Sequence, residues 1–165
     1  MPPTNKFAFT IPDLAWLALL GLILVLMLVP PMAGIYQSFN SDHPYPAAFL
    51  KFMLLAPMGE MLAARIRSGQ WKKPTYLLGR ALVWGFLGMV IALAFQLFSG
   101  GAAAAAERGY LPRSTSALLN AFIISTAMNV LFAPGMMAFH RLTDTWFDLK
   151  AGGTPRPTVR EVAAV

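Results

Sequence analysis

Between residues 14 and 35 the chain reads "LAWLALLGLILVLMLVPPMAGI" and carries no charged side chain. A helix needs about 20 mostly apolar residues to cross the hydrocarbon of a bilayer, and the apolar core of a cleaved leader is shorter. No small-x-small cleavage site follows the run, so it is expected to be a retained first span. That expectation constrains everything downstream. Hydrocarbon offers backbone N–H and C=O groups no partner outside the chain, which leaves helices and closed barrels as the available architectures.

Three more stretches fit the helical option: residues 47–66, 77–98 and 116–139. The second is the most polar, with Lys51, Glu60 and Arg65. The third carries only Arg80, near one end, and the fourth holds Asn120, Asn129 and Pro134 without a charge. No segment alternates apolar and polar residues with a period of two, which argues against a strand-built barrel. The composition agrees, being 57% hydrophobic and 12% charged, against about a quarter charged in an ordinary soluble domain. The expected fold is an all-α polytopic membrane protein with four transmembrane helices in an antiparallel bundle. Residues 1–150 form the membrane domain, and "AGGTPRPTVREVAAV" at 151–165 is expected to be a basic, mobile tail.

The net charge of +6 is not laid out as a nucleic-acid-binding face, so no nucleic-acid partner is expected. The basic residues flank the apolar runs, where they set orientation. "RIRSGQWKKPTYLLGR" supplies Arg65, Arg67, Lys72, Lys73 and Arg80. The C-terminal region adds Arg141, Lys150, Arg156 and Arg160, and the N-terminus adds Lys6. The opposite side holds only Lys51, Arg108 and Arg113, a bias of 10 to 3 among the 13 basic residues. Both termini are therefore expected inside. The membrane is expected to be the bacterial cytoplasmic (inner) membrane, with the mitochondrial inner membrane as the alternative.

Two stretches are unusual within apolar helices: "LLAPMGEM" at 54–61 and "LFAPGMMA" at 131–138. Pro57 frees the carbonyl of Met53 and Pro134 that of Val130, so both are expected to kink their spans. An ionisable residue inside a membrane is a candidate functional site. Glu60 lies about 9 Å along the axis from Ile66 at 1.5 Å per residue. Three readings stand for it: a structural ion pair with Arg80, a substrate or proton site, or snorkelling to the interface. Asn129, with Ser125 one turn before it, is read as a cross-helix hydrogen-bonding residue or as a pore-lining one. The two Ala-Pro stretches, each followed by an arginine (Arg65 and Arg141), are compatible with a parallel repeat of two helical hairpins.

Gly85 and Gly88 in "GRALVWGFLGMV" are read as helix-packing positions, because small residues let helices approach closely. The methionines supply adaptable apolar surface rather than a metal-binding set. With no cysteine, thiolate metal centres, disulfides and covalently attached haem are excluded. His43 and His140 fall on opposite sides, so they cannot share one haem. No cofactor, metal or catalytic residue is expected.

Gly59-Glu60, then Gly79-Arg80 opening a helix with Gly85 and Gly88, then Phe132-Ala133-Pro134, form an ordered set of motifs. In this order, across about residues 49–142, the chain resembles the family of 22-kilodalton peroxisomal membrane proteins and their mitochondrial inner-membrane relatives. The resemblance implies a four-helix membrane protein and a small-solute pore. Two departures are visible: the acid-amide pair usual before Phe-Ala-Pro reads Met128-Asn129, and the family's final helices have no counterpart.

The lack of a catalytic constellation points to a small non-catalytic integral membrane protein. It is expected to act as an accessory or assembly subunit that associates through its helices with other membrane subunits or with itself, in contact with the lipid bilayer. An oligomeric channel or transporter using Glu60, Asn129 and the proline kinks is the alternative.

Overall fold

The computed structural model describes residues 9–113, 116–154 and 156–164. Lys6, one of the residues that set the expected orientation, lies outside them. The elements in chain order are α1 (Ile11–Leu28), α2 (Met32–Asp42), α3 (Pro44–Ser68), α4 (Leu77–Glu107) and α5 (Ala117–Ala127), then a π-helical turn (Met128–Phe132), α6 (Ala133–Ala151) and α7 (Val159–Ala163). There is no strand among the described residues. Four helical segments are long and apolar enough to cross a membrane: α1, α3, α4, and the stretch Ala117–Ala151 that joins α5, the π turn and α6.

Each boundary has a local cause. Thr10 is extended and caps α1, whose first turn contains Pro12 and Asp13. Proline is tolerated there because the first helical N–H groups have no partner within the helix. At 1.5 Å per residue α1 is about 27 Å long, close to the thickness of the hydrocarbon layer. It ends at Leu28, before Pro30 and Pro31, which are joined by a cis peptide bond. From sequence the first apolar run extends to residue 35. In the structure residues 32–35 instead open α2, beyond the proline pair. Only His43 separates α2 from α3, and Pro44 sits in the first turn of α3. Gly69 ends α3 in the left-handed conformation (φ 71°) that a side chain would disfavour, and its N–H donates to the Arg65 carbonyl at 2.8 Å.

α4 is longer than its apolar core. "GGAAAAAE" carries it past residue 98 to Glu107, because alanine is the best helix former. In the last candidate span, Pro134 has no N–H to give Val130, and its ring would collide with that carbonyl in a regular helix. The π turn resolves the conflict: the Ala133 N–H reaches back five residues to the Met128 carbonyl, and a normal α-helix resumes.

The chain divides into two compact units, Met1–Gly85 and Phe86–Val165. In the first, α1 and α3 run in opposite directions. Asp13 at the start of α1 meets Arg65 in the last turn of α3. Leu26 near the end of α1 shares a cavity with Leu50 near the start of α3. α4 joins them at Gly85, where a Cβ would lie 2.7–2.9 Å from three carbons of the Phe49 ring. The other packing glycine named from sequence, Gly88, is buried further along α4.

In the second unit α7 lies against α6, with Val162 buried. Where composition suggests a mobile tail, residues 159–163 form a capped helical turn. The Thr158 N–H and hydroxyl each donate to the Glu161 carboxylate at 2.8 Å. These two bonds, the backbone one foremost, hold the Glu161 carboxyl below its usual range. A depressed pKa stabilises the folded form above the unfolded value, so this cap is intact at neutral pH and is lost only in acid.

The Gly85 contact sets a measurable contrast. Gly85→Leu is expected to lower the melting midpoint in detergent, overpacking typically costing about 1–3 kcal/mol. Gly101→Leu, at a position with no heavy atom within 4 Å of a built Cβ, is expected to leave the midpoint unchanged or raise it. Equal losses for the two variants would rule out the Phe49–Gly85 contact as a packing constraint.

Candidate functional site

The most organised polar cluster of the first unit is built on Asp13. Its Oδ1 accepts from Arg65 Nε at 2.9 Å and from Trp71 Nε1 at 3.0 Å. Its Oδ2 accepts from Arg65 Nη2 at 2.9 Å, from the Thr10 N–H at 2.7 Å and from the Thr10 hydroxyl at 2.5 Å. A carboxylate offers about four lone-pair directions, so this one is saturated. The planar guanidinium approaches both oxygens at once, the two-point geometry that fixes direction as well as distance. The two side chains retain only 10% (Arg65) and 12% (Asp13) of their exposure, which keeps water from competing for either.

Local structure puts these groups in place. Thr10 and Asp13 are the cap and third residue of α1, a spacing that turns the carboxylate back over the helix start. Arg65 projects from the last turn of α3 and gives a further hydrogen bond, through Nη1, to the carbonyl of Gly69. The left-handed turn at Gly69 thereby directs the loop so that Trp71 returns to Asp13. Trp71 also lies 6.2 Å, centroid to centroid, from Trp16 at an interplanar angle of 32°. Trp16 in turn donates its indole N–H to the Met58 carbonyl at 3.2 Å, beside the buried Pro57. Pro57, expected from sequence to kink its span, is buried inside a helix that runs unbroken from Pro44 to Ser68.

Glu60 is the second polar centre. Trp84, on α4, donates its indole N–H to Glu60 Oε1 at 2.6 Å. Arg80, one turn before Trp84 on α4, is buried at 7% exposure, and its Nε donates to the Thr75 carbonyl at 3.0 Å. Glu60, Trp84 and Arg80 thus all lie in the first unit, and Trp84 is a partner that sequence did not identify. Asn129 lies in the second unit, on the π turn. It is exposed, and its Nδ2 donates along its own helix to the Ser125 carbonyl at 2.8 Å. The amide therefore covers a carbonyl at the entry to the wide turn that Pro134 imposes. Also in α6, His140 Nε2 lies 3.4 Å from Asp144 Oδ2, one turn on.

Sequence reasoning read Asp13 only as part of a helix start, read Arg65 as a marker of orientation and of the Ala-Pro repeat, and passed over Trp16, Trp71 and Trp84. One signal was present: an acid at the third position of the most apolar helix, preceded by Thr10 in a capping arrangement. Nothing in the spacing assigned its partner, because Asp13 and Arg65 are 52 residues apart.

Chemically these clusters hold charge in place. Asp13 has no lone pair left for a substrate or a travelling proton, and the carboxylate of Glu60 accepts from a fixed indole. No family model matches the chain, and no curated protein or solved structure matches it either.

Trp84→Phe keeps an aromatic ring but removes the N–H. It is expected to lower the melting midpoint, since a hydrogen bond to a charged group contributes about 1.5–3 kcal/mol. Trp146→Phe, where the ring rather than the N–H makes the recorded contacts with Phe147 and Lys150, is expected to cost less. A Trp84→Phe midpoint equal to wild type would remove Glu60–Trp84 from the interactions that hold the first unit together.

Proposed function

We propose that the chain is a non-catalytic integral membrane protein acting as an accessory or assembly subunit, with four spans in an antiparallel bundle and both termini inside. The bacterial inner membrane is the proposed location, on the strength of the 10-to-3 distribution of basic residues. Kinship with the 22-kilodalton family is likewise a proposal, resting on the Gly-acid, Gly-Arg and Phe-Ala-Pro motifs.

One observation carries the subunit reading. Gly59 and Ala63, one turn apart on α3, are both exposed, and a Cβ built on Gly59 meets nothing within 4 Å. Gly21 on α1 and Gly135 on α6 are open in the same way. Glycine weakens a helix interior by about 0.5–1 kcal/mol relative to alanine. In membranes a small-xxx-small patch permits close approach of another helix. Gly85 meets a neighbour within the chain, whereas Gly59 leaves room for a helix from outside it. The saturated Asp13 and the indole-held Glu60 fit a scaffold better than a pathway for solutes.

Extraction in a mild detergent, followed by affinity purification of the full chain, tests this. Wild type is expected to elute with a larger membrane partner in fixed stoichiometry. Gly59→Leu is expected to lose that partner while its own melting midpoint is maintained. Elution as a homo-oligomer that conducts a small solute or ion in liposomes would replace this reading with the channel.

A further inference from the structure

At the end of the first unit opposite Asp13, α1, α2 and α3 line an open apolar cavity of about 290 Å³. Leu26 and Met27 of α1, Tyr36 and Phe39 of α2, and Leu54 of α3 contribute to its wall, and Lys51 of α3 is the one charged side chain lining it. Lys51 lies seven residues into α3 from Pro44, or about 10 Å along the axis. It is half-buried, and its nearest recorded ring, Phe52, is 6.0 Å from Nζ. Among the described residues no carboxylate pairs with Lys51, and the Tyr36 hydroxyl has no hydrogen-bond partner. The Asp13 and Glu60 carboxylates of this unit are met by Arg65 and by the Trp84 indole N–H respectively, whereas the Lys51 ammonium borders the apolar wall without such a counterpart. An ammonium held against apolar walls is costly unless an anion meets it.

We propose that this cavity binds an anionic phospholipid, with the phosphodiester on Lys51 and the Tyr36 hydroxyl and an acyl chain along Leu26, Met27 and Leu54. One cation and one hydroxyl donor on an otherwise apolar wall match an amphiphile that carries a phosphate at one end. A free phosphate would satisfy Lys51 but leave the wall bare. A zwitterionic lipid brings its own cation into competition with Lys51. The inference rests on the membrane embedding proposed above and is independent of any partner subunit.

Native mass spectrometry and thermal shift on the full chain in detergent test it, with dioleoyl phosphatidylglycerol, dioleoyl phosphatidylcholine and inorganic phosphate as probes. One cation near a lipid surface supports a preference of about five-fold. Wild type is expected to retain phosphatidylglycerol over phosphatidylcholine by about that factor, and to be stabilised by it. Lys51→Gln is expected to bind the two lipids equally, while Lys51→Arg and the distant Arg67→Gln keep the preference. The midpoint of Lys51→Gln in phosphatidylcholine serves as the control for folding. Leu54→Trp, which narrows the cavity, is expected to weaken retention of phosphatidylglycerol. Equal retention of both lipids by wild type, an unchanged preference in Lys51→Gln, or stabilisation by inorganic phosphate as large as by phosphatidylglycerol would each overturn the proposal.

Discussion

A single carboxylate and a single guanidinium tie the start of α1 to the end of α3 in the first unit. Asp13 begins the most apolar helix of the chain and Arg65 closes α3, and each alone would be a costly charge among apolar side chains. Together, with both guanidinium bonds at 2.9 Å, they fix the axial register of α1 against α3. A slip of one helical turn, about 5.4 Å, would break both bonds at once. Because Arg65 also holds the Gly69 carbonyl, the same residue sets the direction in which the chain leaves α3. Trp71 reaches Asp13 as a consequence of that turn.

α3 is consequently the centre of the unit. Trp16 of α1 approaches it at Met58, and Trp84 of α4 at Glu60. Trp71 approaches the end of α3 through Asp13. An indole suits this role because it presents a broad apolar face to lipid and neighbouring helices while giving up one N–H. Pro57 sits among these contacts, buried beside Met58. α3 continues through it as one helix, with Trp16 docked at the next carbonyl. Toward the opposite end of the same helix, Lys51 has no protein counterpart of this kind, and it borders the apolar pocket for which a lipid anion is proposed.

The membrane-length helices were legible in sequence because hydrophobic run length is a property of consecutive residues. An irregularity was legible at Pro134, where the missing N–H imposes one. The π turn at residues 128–132 was not, since a proline can be accommodated by a simple kink as well as by an extra residue in the turn. Asp13 shows the limit more sharply. Its place at the helix start was visible, but its partner is set by which helices meet, and one sequence gives no pairing between residues 13 and 65. Glu60 stood out as an acid in an apolar run, whereas its indole donor was hidden because Trp84 reads as one more apolar residue. Asn129 was seen as a polar anomaly, and its bond to Ser125 arises from the local geometry of the wide turn.

The most direct measurement of the central claim is a double-mutant cycle on Asp13→Asn and Arg65→Gln, read as melting midpoints of the purified full chain in detergent. If the pair fixes α1 against α3, each single variant melts well below wild type, and the double variant melts no lower than the worse single one, because both changes remove the same interaction. Losses that simply add in the double variant, or single variants that melt with wild type, would contradict the account.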